Sequence, residues 1–255
     1  MTEAEAVAAL RVAGIEAPAR DVQKLLSHAI ESGKPLAELI GRRVAHEPVS
    51  HILGYRPFWT SDFLVNRHVL DPRPDTETLV EAALATTWQS VLDLGTGSGC
   101  ILLSLLKDRG GSTGLGSDIS PEALQVAQSN AERLGLNDNV QFVLGDWFDA
   151  ITGRFDLIVS NPPYITADAY RALDRGVRDY EPRLALTPGG DGLDAYRTIA
   201  ARASQHLTPG GQVMVEIGFD QAAAVSSLFD EASFAAIRVL PDINGKDRVI
   251  AASFC

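Results

Sequence analysis

Four consecutive residues, Asn161-Pro162-Pro163-Tyr164, place a side-chain amide and a phenol around two prolines, directly after the apolar run Leu157-Ile158-Val159. The apolar run predicts a buried strand, and open α/β sheets bind their ligands just beyond the carboxyl ends of such strands. Prolines lack an N–H and hold the chain extended, so the Asn161 amide and the neighbouring carbonyls are presented in a fixed geometry. Such acceptors suit a substrate that carries an NH2 group. The alternative is a strand followed by a structural turn.

A glycine-rich segment upstream has the composition of a ligand-binding turn. Gly95-Thr96-Gly97-Ser98-Gly99 lies between the short apolar run Val91–Leu94 and the apolar stretch 101–106, which predicts a strand, a turn and a helix. The glycines let the backbone approach a ligand closely, and the helix N-terminus offers free N–H groups. A dinucleotide fingerprint requires Gly or Ala at position 100, where this chain has Cys100. A plain tight turn remains an alternative.

A carboxylate follows the next predicted strand. Residues 113–118 end in Asp118, and Ser120 and Pro121 then have the types expected at a helix N-cap and first turn. An acid at the end of the second strand can accept hydrogen bonds from both hydroxyls of a ribose. Asp118 is therefore a candidate nucleotide-binding residue, and the alternative is an acid that only caps the helix.

A third strand, Val140–Leu144, leads into Gly145-Asp146-Trp147-Phe148. Asp146 can hydrogen-bond an adenine ring and Trp147 can provide an apolar face beside it. Alternatively, Trp147 belongs to the core.

The order of glycine loop, ribose acid, Trp147 segment and Asn-Pro-Pro-Tyr resembles the class I S-adenosylmethionine-dependent methyltransferases that act on amide or amino nitrogen. The segments His51–Phe58, Val69–Glu77 and Asp242–Val249 closely resemble the release factor glutamine methyltransferases. That family usually has an apolar residue and a glutamate where this chain has Asp71 and Asp75. The departure at Asp71 concerns the packing of a linker and not the residues of methyl transfer.

The resemblance implies an enzyme that methylates the side-chain nitrogen (N5) of glutamine in the Gly-Gly-Gln motif of class I peptide chain release factors. S-adenosylmethionine would be held by Gly95, Thr96, Gly97, Ser98, Gly99, Asp118, Trp147 and Asn161. The catalytic residues would be Asn161, Pro162 and Tyr164, with Pro163 also contacting substrate; Asn161 and Pro162 would each accept one N–H of the glutamine amide, and Tyr164 would pack against the target. The alternatives are an amino methyltransferase for adenine or cytosine in nucleic acid, and a non-catalytic nucleotide-binding interaction protein.

Composition agrees with an intracellular enzyme. With 33 acidic and 22 basic residues the net charge is −11, which disfavours DNA as a partner because DNA binders neutralise phosphates with clustered Lys and Arg. No apolar run reaches the roughly 20 residues of a membrane span, and the start is acidic rather than signal-like. Cys100 and Cys255 form no disulfide or metal pattern, and His46, Glu47 and His51 do not have the HExxH spacing. We expect a cytoplasmic monomer without a metal.

Two units are predicted. Residues 1–70 contain helical repeats at 22–30 and 36–44, a capping box at Thr2 and Glu5, and a hairpin around Phe58 and residues 63–65. This unit either docks the protein substrate, as the resemblance implies, or is a structural lid. Residues 71–255 alternate strands and helices, apart from a long polar loop that ends at Gly192, and predict a doubly wound, mostly parallel sheet. The resemblance adds seven strands and an antiparallel last strand.

Overall fold

A seven-stranded sheet organises the larger part of the chain in the computed structural model, which describes residues 1–254. The strand order is β5-β4-β3-β6-β7-β9-β8, and the pairs among β3 to β7 are parallel whereas β9 is antiparallel to both of its neighbours. Its strands are β3 (Ser90–Leu94), β4 (Thr113–Asp118), β5 (Val140–Leu144), β6 (Phe155–Ser160), β7 (Leu207–Glu216), β8 (Ala235–Pro241) and β9 (Asp247–Ser253). The predicted doubly wound, mostly parallel sheet with an antiparallel last strand is confirmed.

Helices cover both faces of this sheet and form two separate apolar cores. One face packs against α5 (Glu77–Leu84), α6 (Cys100–Asp108) and α7 (Pro121–Leu134), and the other against α11 (Asp194–Ala203) and α12 (Ala222–Glu231). The central strands β3 and β6 are largely apolar because both of their faces are buried. Ser120 caps α7 by accepting a hydrogen bond from the Ala123 N–H at 3.1 Å, as expected, with Pro121 in the first turn.

The first helices form a unit with a core of its own. They are α1 (Glu3–Val12), α2 (Pro18–Ser32), α3 (Leu36–Val44) and α4 (Val49–Leu53). Thr2 and Glu5 form the expected capping box, and the apolar core uses Val22, Leu25 and Leu39 among others. The prediction that Ile30 shares this apolar face is wrong, because Ile30 lies near the C-terminus of α2 and its residue surface is 76% exposed.

The hairpin is a separate two-stranded sheet that packs against one core of the seven-stranded sheet. Its strands are β1 (Tyr55–Phe58) and β2 (Ser61–Leu64), and the buried rings of Phe58 and Phe63 pack into the core beside α5 and α6. Asn130 on α7 bonds the Leu64 backbone twice, accepting its N–H at 2.7 Å and donating to its carbonyl at 3.1 Å. Residues up to Leu53 therefore pack into the core of the helical unit, whereas the hairpin after Gly54 packs into the core of the sheet. This change lies inside the predicted first unit of residues 1–70.

The segment between Asn161 and Gly192, predicted as a long polar loop, contains three short helices. They are α8 (Ala167–Arg171), α9 (Arg175–Arg178) and α10 (Arg183–Leu186). Thr166 and Asp174 cap the first two by accepting backbone N–H groups at 3.2 and 2.7 Å. Each helix has about one turn, which is too short to show an apolar period in the sequence. Among the described residues, none of the helices has the length and apolar composition that a membrane span requires.

Candidate functional site

A cavity of about 390 Å³ opens at the carboxyl edge of the sheet, where β3, β4, β5 and β6 end. This volume lies in the range of small-molecule sites. Eight of the residues predicted to form the site line it: Gly95, Thr96, Gly97, Ser98, Asp118, Trp147, Asn161 and Pro163. Gly99, Pro162 and Tyr164 do not line it.

The glycine loop turns sharply beneath the cavity. Gly95, Gly97 and Gly99 have φ values of 69°, 56° and 78°, which is the region that favours glycine. A Cβ on Gly99 would lie 3.0 Å from the Leu103 side chain, so a glycine at this position lets Leu103 in the first turn of α6 pack against the loop backbone. The Ser98 hydroxyl is buried at the cavity wall without a hydrogen-bond partner among the described residues. A buried polar atom of this kind needs a ligand or water to satisfy it.

Asp118 holds the loop and faces the cavity. Its Oδ2 accepts the Gly97 N–H at 2.9 Å, and its Oδ1 accepts the Ser120 N–H at 2.9 Å. Burial raises the pKa of Asp118, against the lowering effect of these backbone hydrogen bonds. Each oxygen retains a further lone pair, so the carboxylate can still accept hydrogen bonds from a ligand.

Asp93 is a candidate site residue that sequence reasoning missed. It lies fully buried inside β3, its Oδ2 accepts the Thr96 hydroxyl at 2.8 Å, and its Oδ1 has no partner among the described residues. Burial raises the pKa of Asp93 to about 7. The available signal was an acid within an apolar strand immediately before a glycine turn. Asp93 does not line the cavity and supports the glycine loop through Thr96, whereas the unsatisfied Ser98 hydroxyl lies at the cavity wall, as expected of a site for a polar ligand.

The raised pKa of Asp93 predicts a pH-dependent cost in stability. Since the folded-state pKa lies above the ordinary value of 3.8, stability is full below about pH 4 and is lost as the pH rises through about 7. We expect Asp93→Asn to raise the unfolding free energy at pH 8 by about 1–4 kcal/mol, with a smaller gain at pH 5. Urea denaturation of the ligand-free protein at both pH values measures this. An equal effect at pH 5 and pH 8 would contradict the assignment.

Trp147 combines both of its predicted environments. It lines the cavity and also packs against the apolar core beside Phe148, and its backbone adopts a φ of 50°. The neighbouring Asp146 lines the cavity as well. Trp147 therefore contributes to both the cavity wall and the core, and its contact with adenine stays a prediction.

The Asn161 side chain is oriented by the linker that precedes α5. Its Nδ2 donates a hydrogen bond to the Thr76 Oγ1 at 3.2 Å. Because the amide nitrogen is engaged, the Oδ1 oxygen is left to accept, and no donor among residues 1–254 is bonded to it. Pro163 also lines the cavity, whereas Pro162, which lies between Asn161 and Pro163 in the chain, is buried. The predicted acceptor at position 161 is thus held at the cavity wall.

Tyr164 is directed away from the cavity. Its hydroxyl donates to the Glu216 Oε1 at 3.2 Å, and its ring packs against the core around α11 and α12. Burial and the neighbouring Glu216 raise the pKa of Tyr164, so the phenol stays protonated. Its expected contact with a target side chain remains a prediction.

The linker residues 71–73 join three parts of the chain. Asp71 is buried and accepts a hydrogen bond from the Ser50 hydroxyl, and its Oδ1 lies 3.4 Å from the His51 Nε2. Burial alone would raise the pKa of Asp71, but the contacts with His51 and Ser50 lower it. Arg73 pairs with Glu181 at 2.7 Å. These contacts account for Asp71 at a position where the resembled family is apolar, because His51 and Ser50 supply its partners.

Comparison with known proteins agrees with this geometry. Residues 87–232 match the model of a methyltransferase domain. A release factor glutamine methyltransferase of Cereibacter sphaeroides is 47% identical, over 97% of this chain and 95% of that protein, and one of Rhodospirillum rubrum is 45% identical, over 95% and 81%. A methyltransferase structure from Pyrococcus furiosus has a TM-score of 0.59 at 15% identity, covering 85% of this chain and 98% of that one, which supports the fold. The chain is therefore a methyltransferase and belongs to the release factor glutamine methyltransferase family.

Proposed function

We propose that the enzyme transfers a methyl group from S-adenosylmethionine to the N5 amide nitrogen of the glutamine in the Gly-Gly-Gln motif of class I peptide chain release factors. The observation that carries this proposal is the Asn161 amide, whose nitrogen is bonded to Thr76 so that its oxygen is left to accept at the cavity wall. An acceptor held in this way suits a substrate NH2 group. The choice of release factors as the protein substrate is inferred from the family to which the chain belongs.

The cavity fits the methyl donor. In this proposal Asp118 binds the ribose hydroxyls, Trp147 lies against the adenine, and the unsatisfied Ser98 hydroxyl bonds a polar group of the donor; all three residues line the cavity, which supports these roles. When bound, the donor supplies an electrophilic methyl group on a sulfonium.

An amide nitrogen is a weak nucleophile because its lone pair is delocalised into the carbonyl, and hydrogen bonds from the substrate amide to the enzyme can increase its reactivity. In this proposal the Asn161 Oδ1 accepts one N–H of the glutamine amide at the cavity wall, and the carbonyl of Pro162, a residue that does not itself line the cavity, accepts the other. These bonds favour a tetrahedral nitrogen and stabilise its developing positive charge. The N–CH3 bond forms as the S–CH3 bond breaks. The methylated N5 nitrogen, which now carries a positive charge, is strongly acidic and loses a proton to water, so no dedicated base is required.

Methyl incorporation tests this proposal. The full chain is incubated with donor carrying a labelled methyl group and, separately, with release factor, with release factor whose motif glutamine is replaced by alanine, and with DNA. We expect label only in the unmodified release factor, at the motif glutamine by peptide mass spectrometry. Label in DNA would favour the amino methyltransferase of nucleic acid, and binding of the donor without transfer to any acceptor would favour a non-catalytic nucleotide-binding protein.

We further propose that the helical unit docks the release factor. Its core is separate from that of the sheet. Ser50 and His51 of the helical unit contact Asp71, and the Ala45 carbonyl accepts the Tyr180 hydroxyl at 2.8 Å. A chain that starts at Gly54 keeps the hairpin and its core contacts. In this proposal the enzyme acts as a cytoplasmic monomer.

Deletion of residues 1–53 removes Ser50 and His51, the partners of the buried Asp71, so it is combined with Asp71→Leu, which gives the residue class that the family has there. The truncated protein is expected to keep donor binding and to show a raised KM for folded release factor, because the docking surface is lost. Activity on a short Gly-Gly-Gln peptide serves as the matched control and should be unchanged. Steady-state kinetics on both substrates measure the effect, and thermal unfolding verifies the truncated fold. Equal KM values for the folded substrate would reduce the unit to a structural lid.

A further inference from the structure

Glu216 is a buried carboxyl group directly behind the Asn-Pro-Pro-Tyr segment, and the proposed mechanism does not use it. It ends β7, the strand that pairs with β6, and its residue surface is 1% exposed. Its Oε1 accepts the Tyr164 hydroxyl at 3.2 Å, whereas its Oε2 has no hydrogen-bond partner within the part of the chain that the structure describes. Burying a carboxyl group is costly, so its presence requires a reason.

Thr76 lies between Glu216 and Asn161. The Thr76 hydroxyl is buried and accepts the Asn161 Nδ2 at 3.2 Å. Thr76 lowers the pKa of the neighbouring Glu216, although no formed hydrogen bond joins the two side chains among the described residues, and the Glu216 Oε2 stays unpartnered. A hydroxyl has one proton to donate. Since its oxygen accepts from Asn161, its proton is free for the carboxylate. The three side chains can thus form a directed series in which Asn161 donates to Thr76 and Thr76 donates to Glu216.

We propose that Thr76 and Glu216 are positioning residues, and that the ionised Glu216 carboxylate orders this series so that Asn161 presents its oxygen to the substrate nitrogen. The inference rests on the proposed function of Asn161 as the acceptor. With a carboxylate at one end, only one direction of donation satisfies every member. Thr76 then cannot donate to Asn161, and the amide cannot invert without losing its bond to Thr76.

The charges around Glu216 decide when it is ionised. Burial and, to a smaller extent, Asp75 raise the pKa of Glu216, whereas Thr76, Arg248 and the Tyr164 hydroxyl lower it, and together they place this pKa at about 7. Arg248 is held in place by Asp75 at 3.2 Å and Asp242 at 3.1 Å. On the remaining side, the Tyr196 hydroxyl donates to the backbone carbonyl of Glu216 at 2.9 Å and carries no charge.

Protonation of Glu216 reverses the order of the series. The carboxyl group becomes a donor to Thr76, and the Thr76 proton turns to the Asn161 oxygen, which then faces away from the substrate. Turnover should therefore fall as the pH drops below about 7, with the ionised form active above it. Asp93 titrates in the same range, so turnover must be measured at saturating donor, where an effect on donor binding does not contribute.

The test compares Thr76→Val and Glu216→Gln with wild type on release factor. We expect each to lower kcat about tenfold, as for one lost hydrogen bond in a buried network, with the dissociation constant of the donor within about threefold of wild type. Thr76→Ser, which keeps the hydroxyl, should restore most of the turnover. Glu216→Gln should also flatten the acid side of the kcat profile, and Glu231→Gln, an exposed control, should not.

A second measurement does not depend on activity. The side-chain amide signals of Asn161, identified in a 15N–1H spectrum by their loss in Asn161→Ala, should titrate near pH 7 in wild type and not in Glu216→Gln. Wild-type turnover in both variants, or Asn161 signals that titrate equally without Glu216, would overturn the inference. Absence of release factor methylation by wild type would instead contradict the proposed function, and the amide titration would still decide whether Glu216 orients Asn161.

Discussion

Asn161→Ala is expected to lower the turnover number by about 10²–10³, the size typical of removing one preorganised electrostatic contact. Asn161 is proposed to act on the developing charge of the transition state more than on either bound ligand, and a contact that strengthens in the transition state affects kcat. The dissociation constant of the donor should change much less. Single-turnover methyl transfer at saturating donor measures the chemical step directly.

Asn161→Asp is the matched variant, because it keeps an oxygen at the same position and replaces the amide NH2 that donates to Thr76. We expect it to bind donor normally and to misplace the glutamine amide, since aspartate cannot make the Thr76 contact in the same direction. If Asn161→Ala transferred methyl at the wild-type single-turnover rate, the acceptor role would be wrong. Asn-Pro-Pro-Tyr would then be a structural turn.

The strands and helices of the sheet were predictable because the types and spacing of neighbouring residues determine them. The bounds of β4 and β5 agree with the strands predicted at 113–118 and 140–144, and the cap at Ser120 follows from residue type alone. The strand pairing is not local, but alternation of strands and helices leaves few arrangements of a parallel sheet. The antiparallel last strand came from the family resemblance and not from periodicity.

The support of the site could not be predicted in the same way. Thr76 reaches Asn161 across 85 positions of sequence, and Tyr164 reaches Glu216 across 52. No spacing rule connects such pairs, because tertiary packing alone brings them together. The direction of Tyr164 has the same origin: its ring completes an apolar core, and a buried carboxyl group takes its hydroxyl. Residue types therefore identify the reacting groups more readily than the groups that orient them.

Asp118→Ala is expected to weaken donor binding by about 1.5–3 kcal/mol, the value of a lost hydrogen bond to a charged group, or roughly 10-fold to 150-fold in the dissociation constant. The reason is the proposed contact of the carboxylate with the ribose hydroxyls. Isothermal titration calorimetry measures the affinity, and thermal unfolding should show little loss of fold. Unchanged donor affinity would remove Asp118 from the binding site.

The structure adds a second contribution that the experiment must separate, because Asp118 also accepts the Gly97 and Ser120 N–H groups at 2.9 Å each. Alanine removes both the ribose contact and this support of the glycine loop, whereas Asp118→Asn keeps one acceptor oxygen. A donor analogue that lacks the ribose 2′-hydroxyl distinguishes the two effects. If the carboxylate binds the ribose, the analogue should lose affinity for wild type and much less for Asp118→Ala, so that the two changes are not additive. Fully additive losses would mean that Asp118 acts through the loop alone.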